Sequence, residues 1–192
     1  MPAARSFTLS EIARRLDVPQ HRLIHLCEKG VVVPEVHDAS GRGSSRVFSA
    51  TNFLELAIAI RLRGMMLPVA LTGAVIHVLR AFEARLKDEI RGFSLAASLR
   101  TDSAPDLRMI VSDGQQLFFS LGEPAKKTRL FGGVPLDAVN GGGGSWDGQF
   151  KSVQMPTVGR ERQTRVGGPE RSQFARLELS VTAVAQSLDL AE

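Results

Sequence analysis

Gln20, His21, Arg22 and His25 follow closely behind Pro19, and their side chains suit hydrogen bonding to nucleic acid. Arg22 can make paired hydrogen bonds to guanine, and Gln20 can do the same with adenine. His21 and His25 can donate to a phosphate or a base edge. Arg14, Arg42 and Arg46 suit the sugar-phosphate backbone, where contacts fix register without reading sequence. Each of these side chains could equally do no more than face water, so the elements that carry them decide the matter.

Other chemistry has less to work with. The histidines are His21, His25, His37 and His77, and no Ser-His-Asp or Cys-His arrangement comes with a flanking motif. The acidic residues show no spacing that suggests a paired general acid and base. His21 and His25 have the i, i+4 spacing that can share a metal. Cys27 falls on the opposite, inward face, where a small apolar role is usual. The run NGGGGS at residues 140–145 lacks the strand, Lys-Ser/Thr and helix of a phosphate loop. The expectation is a protein that is not an enzyme and holds no cofactor and no metal.

The positioning elements lie in residues 8–34. Thr8 and Glu11 have the spacing of a capping box, which predicts a helix from Leu9. Leu9, Ile12, Ala13 and Leu16 give it one apolar face. Asp17-Val18-Pro19 breaks it, and Pro19 suits the mouth of a second helix. On that helix Leu23, Leu26 and Cys27 point inward, leaving Gln20, His21, Arg22, His25 and Lys29 on or near the other side. Gly30 reads as its C-cap, and Pro34 forbids resumption. Two short helices joined by a tight turn predict a helix-turn-helix.

Beyond it, Val31-Val32-Val33 is β-prone, residues 37–46 (HDASGRGSSR) read as a polar wing tip, and Arg46-Val47-Phe48 as the returning strand. Ser49 is the expected N-cap of an apolar third helix that Arg61 and Arg63 end favourably. Pro68 opens a fourth helix whose apolar positions, from Val69 to Leu86, cover more than one face. Such a helix needs a second neighbour, either another domain or another subunit.

Phe7 to Ala13, then Val18, Leu23, Glu28, Gly30 and Pro34, resemble the start of MerR-type winged helix-turn-helix regulators. Gly41 to Ser49 resemble that family's wing, and residues 49–87 fit its third and fourth helices. The resemblance implies DNA binding, with His21 and Arg22 on the recognition helix and Arg46 as the wing arginine. Ile24-His25-Leu26 stands where many members have Arg-Tyr-Tyr, so Ile24 cannot supply the usual phosphate contact. The family's long antiparallel dimerisation helix does not follow the fourth helix.

The charge distribution agrees. Residues 1–91 carry 13 basic and 9 acidic side chains, and residues 92–192 carry 11 of each. The whole basic excess lies where DNA would be read. No apolar run approaches the roughly 18 residues of a spanning helix. The first residues lack the pattern of a signal peptide, and a single cysteine suits a reducing compartment. A cytoplasmic location without membrane contact is expected.

Residues 91–105 read as a linker, after which the period becomes twofold. Leu107, Met109 and Val111, then Asp113-Gly114, then Leu117, Phe119 and Leu121 predict a tight hairpin. Residues 128–131 and 149–155 suggest further strands. Residues 175–183 suggest another, with Leu177, Leu179, Val181 and Ala183 on one side. Five short strands predict a small antiparallel barrel or sandwich. Residues 159–172 read as a solvated charged loop.

The fold class expected is thus α+β. Residues 1–90 form a winged helix-turn-helix, 91–105 a linker and 106–192 a β-rich domain for dimerisation, an effector or a protein partner. The favoured function is a sequence-specific, homodimeric regulator on double-stranded DNA. Alternatives are an excisionase-like or architectural DNA-bending factor, and a protein-interaction module whose helix-turn-helix no longer binds DNA.

Overall fold

Thr8 begins the first helix as its spacing predicts. Its hydroxyl accepts the Glu11 N–H at 3.3 Å, capping α1 (Leu9–Leu16). The computed structural model describes residues 6–35, 46–89, 92–101, 103–122, 128–139, 148–152 and 176–188. α1 stops at Asp17, which is left-handed at φ 52°. α2 (Gln20–Glu28) follows, with Pro19 as N-cap. Gly30, at φ 68°, ends it: its N–H reaches the Cys27 carbonyl while the Val31 N–H reaches that of Leu26. This paired closure needs a left-handed residue, which glycine supplies without a Cβ clash.

Residues 31–33 do not form the strand their composition suggests. Val31 and Val32 are buried, and a side chain satisfies the backbone beside them. Asn52 Nδ2 donates to the Val33 carbonyl at 3.2 Å, and Asn52 Oδ1 accepts the Glu35 N–H at 2.8 Å. The strand β2 (Val47–Phe48) pairs instead with β1 (Phe7–Thr8), antiparallel, with Phe7 opposite Phe48. The predicted wing tip, apart from Arg46, lies outside the described residues.

Ser49 and Asn52 form a complete capping box on α3 (Ala50–Gly64). The Arg63 guanidinium donates to the Leu67 carbonyl as the chain turns toward α4 (Val69–Glu89). α4 packs on α3 and also on the sheet that follows, which answers its surplus of apolar surface. Within residues 91–105 lies one helical turn, α5 (Leu95–Ser98). Buried Glu83 of α4 accepts the Leu95 N–H at 3.1 Å.

The hairpin forms as predicted: β3 (Asp106–Ser112) and β4 (Gln116–Gly122) pair with Met109 opposite Phe119. β5 (Arg129–Pro135), β6 (Lys151–Ser152) and β7 (Arg176–Ser180) complete a five-stranded antiparallel sheet of order β6-β5-β4-β3-β7. The β4–β5 register shifts at Leu117/Phe118. There Gly132 sits at φ 137°, with a Cβ position only 2.6 Å from the Leu117 carbonyl oxygen and the Phe118 Cα.

The sheet is a single open layer among the described residues, neither barrel nor sandwich. Its apolar face is covered by helices, so no second sheet is required. α6 (Leu136–Val139) packs against α4. The strand expected over 175–183 ends early, at Ser180, whose hydroxyl accepts the Ala183 N–H at 3.1 Å and starts α7 (Val181–Ser187). Thr182 Oγ1 donates to the Pro105 carbonyl at 2.7 Å and accepts the Leu107 N–H at 2.8 Å. α7 is thereby pinned to the start of β3. Residue 175, residues 153–155 and the loop 159–172 lie outside the described residues. Among the described residues no helix is long and apolar enough to cross a membrane.

Candidate nucleic-acid interface

Leu23 and Leu26 are the buried residues of α2, and they fix which way the helix faces. Gln20, His21, Arg22 and His25 are exposed on it, with Lys29 exposed just beyond its end. The structure therefore brings together the four α2 side chains suited to base and phosphate contact. The acidic residue on α2, Glu28, is at the end remote from Gln20. Ile24 and Cys27 are half-buried and pack against the core.

Arg14 is exposed in the last turn of α1. Arg46 is half-buried immediately before β2. Arg42 lies outside the described residues. Cys27 stays on the inner side, away from the His21/His25 edge, as the helical spacing requires. Among the described residues no three His, Cys, Asp or Glu side chains are grouped to hold a metal ion.

A polar network that runs from exposed Glu35 to buried Asn52 and Glu55 ties the segment after α2 to α3 and α4. Glu35 accepts a hydrogen bond from Ser49 Oγ at 2.6 Å. Ser49 Oγ in turn accepts the Asn52 N–H at 3.1 Å. Asn52 Nδ2 also donates to Glu55 Oε2 at 3.1 Å. Arg80, on α4, grips Glu55 in two bonds, Nε to Oε1 at 2.5 Å and Nη2 to Oε2 at 2.6 Å. Burial pushes the Glu55 carboxyl above its usual range, and the Arg80 hydrogen bonds and charge offset this only in part. The carboxylate in turn raises the Arg80 guanidinium above its ordinary value.

Of these positioning residues the sequence points to Ser49 alone, as the N-cap of α3. Ser49-x-x-Asn52 has capping-box spacing, a signal that was available. The Glu55–Arg80 pair, 25 residues apart on different helices, offered none.

Residues 7–71 match the family model described as MerR HTH family regulatory protein. The match runs from β1 into the first turn of α4, so it takes in both short helices, β2 and the whole of α3. The N-terminal region is thus a MerR-type helix-turn-helix, with an antiparallel sheet after it. No curated protein matches the chain.

Proposed function

We propose, from this MerR-type N-terminal region, that the protein is a sequence-specific transcriptional regulator that binds double-stranded DNA as a homodimer. The observation that carries the reading is the one-sided α2. Leu23 and Leu26 are buried beneath it, and Gln20, His21, Arg22 and His25 are exposed to solvent.

The front of such a helix enters the major groove. Arg22 and Gln20 read base edges there, while His21 and His25 donate to a base or a phosphate. Arg14, Arg42 and Arg46 hold the backbone on either side of the groove. One recognition helix spans few base pairs, and a twofold dimer doubles the site. Residues 1–90 act as the DNA-binding part and 91–105 as the connection. Residues 106–192 supply dimerisation and the surface for an effector or protein partner. The protein works in the cytoplasm, where DNA and a reduced Cys27 coexist.

Selection of duplexes from a random library by the full chain tests this reading. An enriched, twofold-related motif is expected, bound by a dimer in light scattering of the complex. Recovery of no enriched motif overturns it.

A further inference from the structure

Between the C-terminal end of α2 and the start of α4 lies a cleft of about 540 Å³, within the range of small-molecule sites. Among the described residues, the ionisable side chains lining it are His25, Lys29 and His77, with no Asp or Glu. Much of the remaining wall is apolar, from Val31, Val69, Ala74 and Val139. The cleft adjoins the first turns of a 21-residue helix, the end at which the helix dipole is positive.

Gly73 forms part of the same wall. Glycine in a helix interior weakens the helix, so its presence invites a reason. A Cβ here would meet only Val31 Cγ2, at an ordinary 3.8 Å. Packing does not require the glycine, and the space it leaves belongs to the cleft.

We propose that this cleft binds a small carboxylate with an apolar body, and that its occupant opposes DNA binding. Donors on His25, Lys29 and His77, with no carboxylate among the described lining residues, select a negative head group. The valine-lined wall selects an apolar body, which a bare phosphate does not provide. His25 and Lys29 also stand on the exposed side of α2. An anion seated there engages both side chains and places negative charge where the DNA backbone would approach. The two ligands then weaken each other reciprocally. This coupling rests on the DNA-binding reading of α2, whereas the cleft itself does not.

The test titrates the ¹⁵N-labelled full chain, without DNA, with benzoate, benzamide and inorganic phosphate. Benzoate is expected to give saturable shifts at Gly73, Ala74 and His77. Its affinity should exceed that of benzamide or phosphate by about tenfold or more, the worth of a charge-assisted hydrogen bond. Gly73→Leu, which fills the cleft, and His77→Leu, at an exposed position, should each lose about tenfold. If Gly73→Leu fails to fold, His77→Leu carries the comparison. Phosphate binding as tightly as benzoate, or benzoate binding unchanged in the folded variants, overturns the site.

Gel shifts on a selected duplex then read the coupling. Saturating benzoate should weaken DNA binding by about fivefold or more in the parent chain, and not in His77→Leu. Equal weakening in both overturns the coupling and leaves the site standing. A chain that binds no duplex sinks the DNA reading, and the benzoate titration still decides the cleft.

Discussion

The Phe82 ring of α4 lies flat on the Phe119 ring of β4, with centroids 4.2 Å apart and planes 3° from parallel. Phe150 meets both edge-on, at 5.1 and 5.9 Å. The helix that follows α3 in the N-terminal half is therefore also the cover of the sheet. Truncating a buried phenylalanine to alanine costs about 3–5 kcal/mol, and Phe119→Ala is expected to lose that much. Urea unfolding followed by helical circular dichroism and by sheet amide resonances should give coincident midpoints. Separate midpoints would mean that the stack does not couple the two parts.

Glu55 is 3% exposed and paired to Arg80. Arg80→Ala leaves a buried carboxylate without its counter-charge, at a cost of about 3 kcal/mol near neutral pH. The pH dependence follows from the raised carboxyl. A group whose folded-state pKa exceeds the unfolded value of 4.5 binds its proton more tightly when folded. Its contribution is full below 4.5 and is lost as pH rises through the folded value. Arg80→Ala removes a lowering influence, so the folded value rises further. The deficit against the parent chain should shrink on going from about pH 7 to about pH 5, as the carboxyl neutralises. Denaturant melts at the two pH values check this, and a constant deficit contradicts it.

Arg22 and Arg14 should fail in different ways. Arg22→Ala is expected to relax preference at one base pair, costing about 1–3 kcal/mol there. Arg14→Ala should weaken all sequences alike and flatten the salt dependence by about one charge. Gel shifts over matched and singly substituted duplexes at several salt concentrations separate the two. Identical behaviour of the two variants would count against the assigned roles.

Gly132→Ala is expected to destabilise by about 2 kcal/mol or more, since its Cβ would lie 2.6 Å from backbone atoms of Leu117 and Phe118. Gly114→Ala, where nothing lies within 4 Å, should cost less. Thermal melts of the pair provide the comparison, and equal losses would rule out the close approach as the cause.

Where local signals were self-sufficient, the sequence was readable. Thr8, Ser49 and Gly30 mark helix ends by short-range hydrogen bonds, and Asp113-Gly114 between alternating apolar residues specifies its hairpin. The α+β order of helices then sheet followed from the same signals. Misreadings arose where a distant partner decided the outcome. Val31 and Val32 are β-prone, but they became core filling once Asn52 satisfied the adjoining backbone. Val181 and Ala183 continue a twofold pattern, yet Ser180 caps a helix there because Thr182 can bind Pro105 and Leu107 across the fold. On the candidate interface, spacing alone placed His21, Arg22 and His25 together. The network behind them depends on Arg80, which no local pattern connects to Glu55.

The strand order carries a consequence for the growing polypeptide. β3 and β4 leave the ribosome consecutively and can zip at once, but β3 has a second flank reserved for β7. Glu178, which pairs with Arg108 across that flank, is translated 70 residues afterwards. Until then the nascent hairpin displays unsatisfied amide and carbonyl groups along β3, the kind of edge that invites pairing with a neighbouring chain. Slow translation over the intervening codons would prolong that window, and synthesis of Arg176–Ser180 closes it.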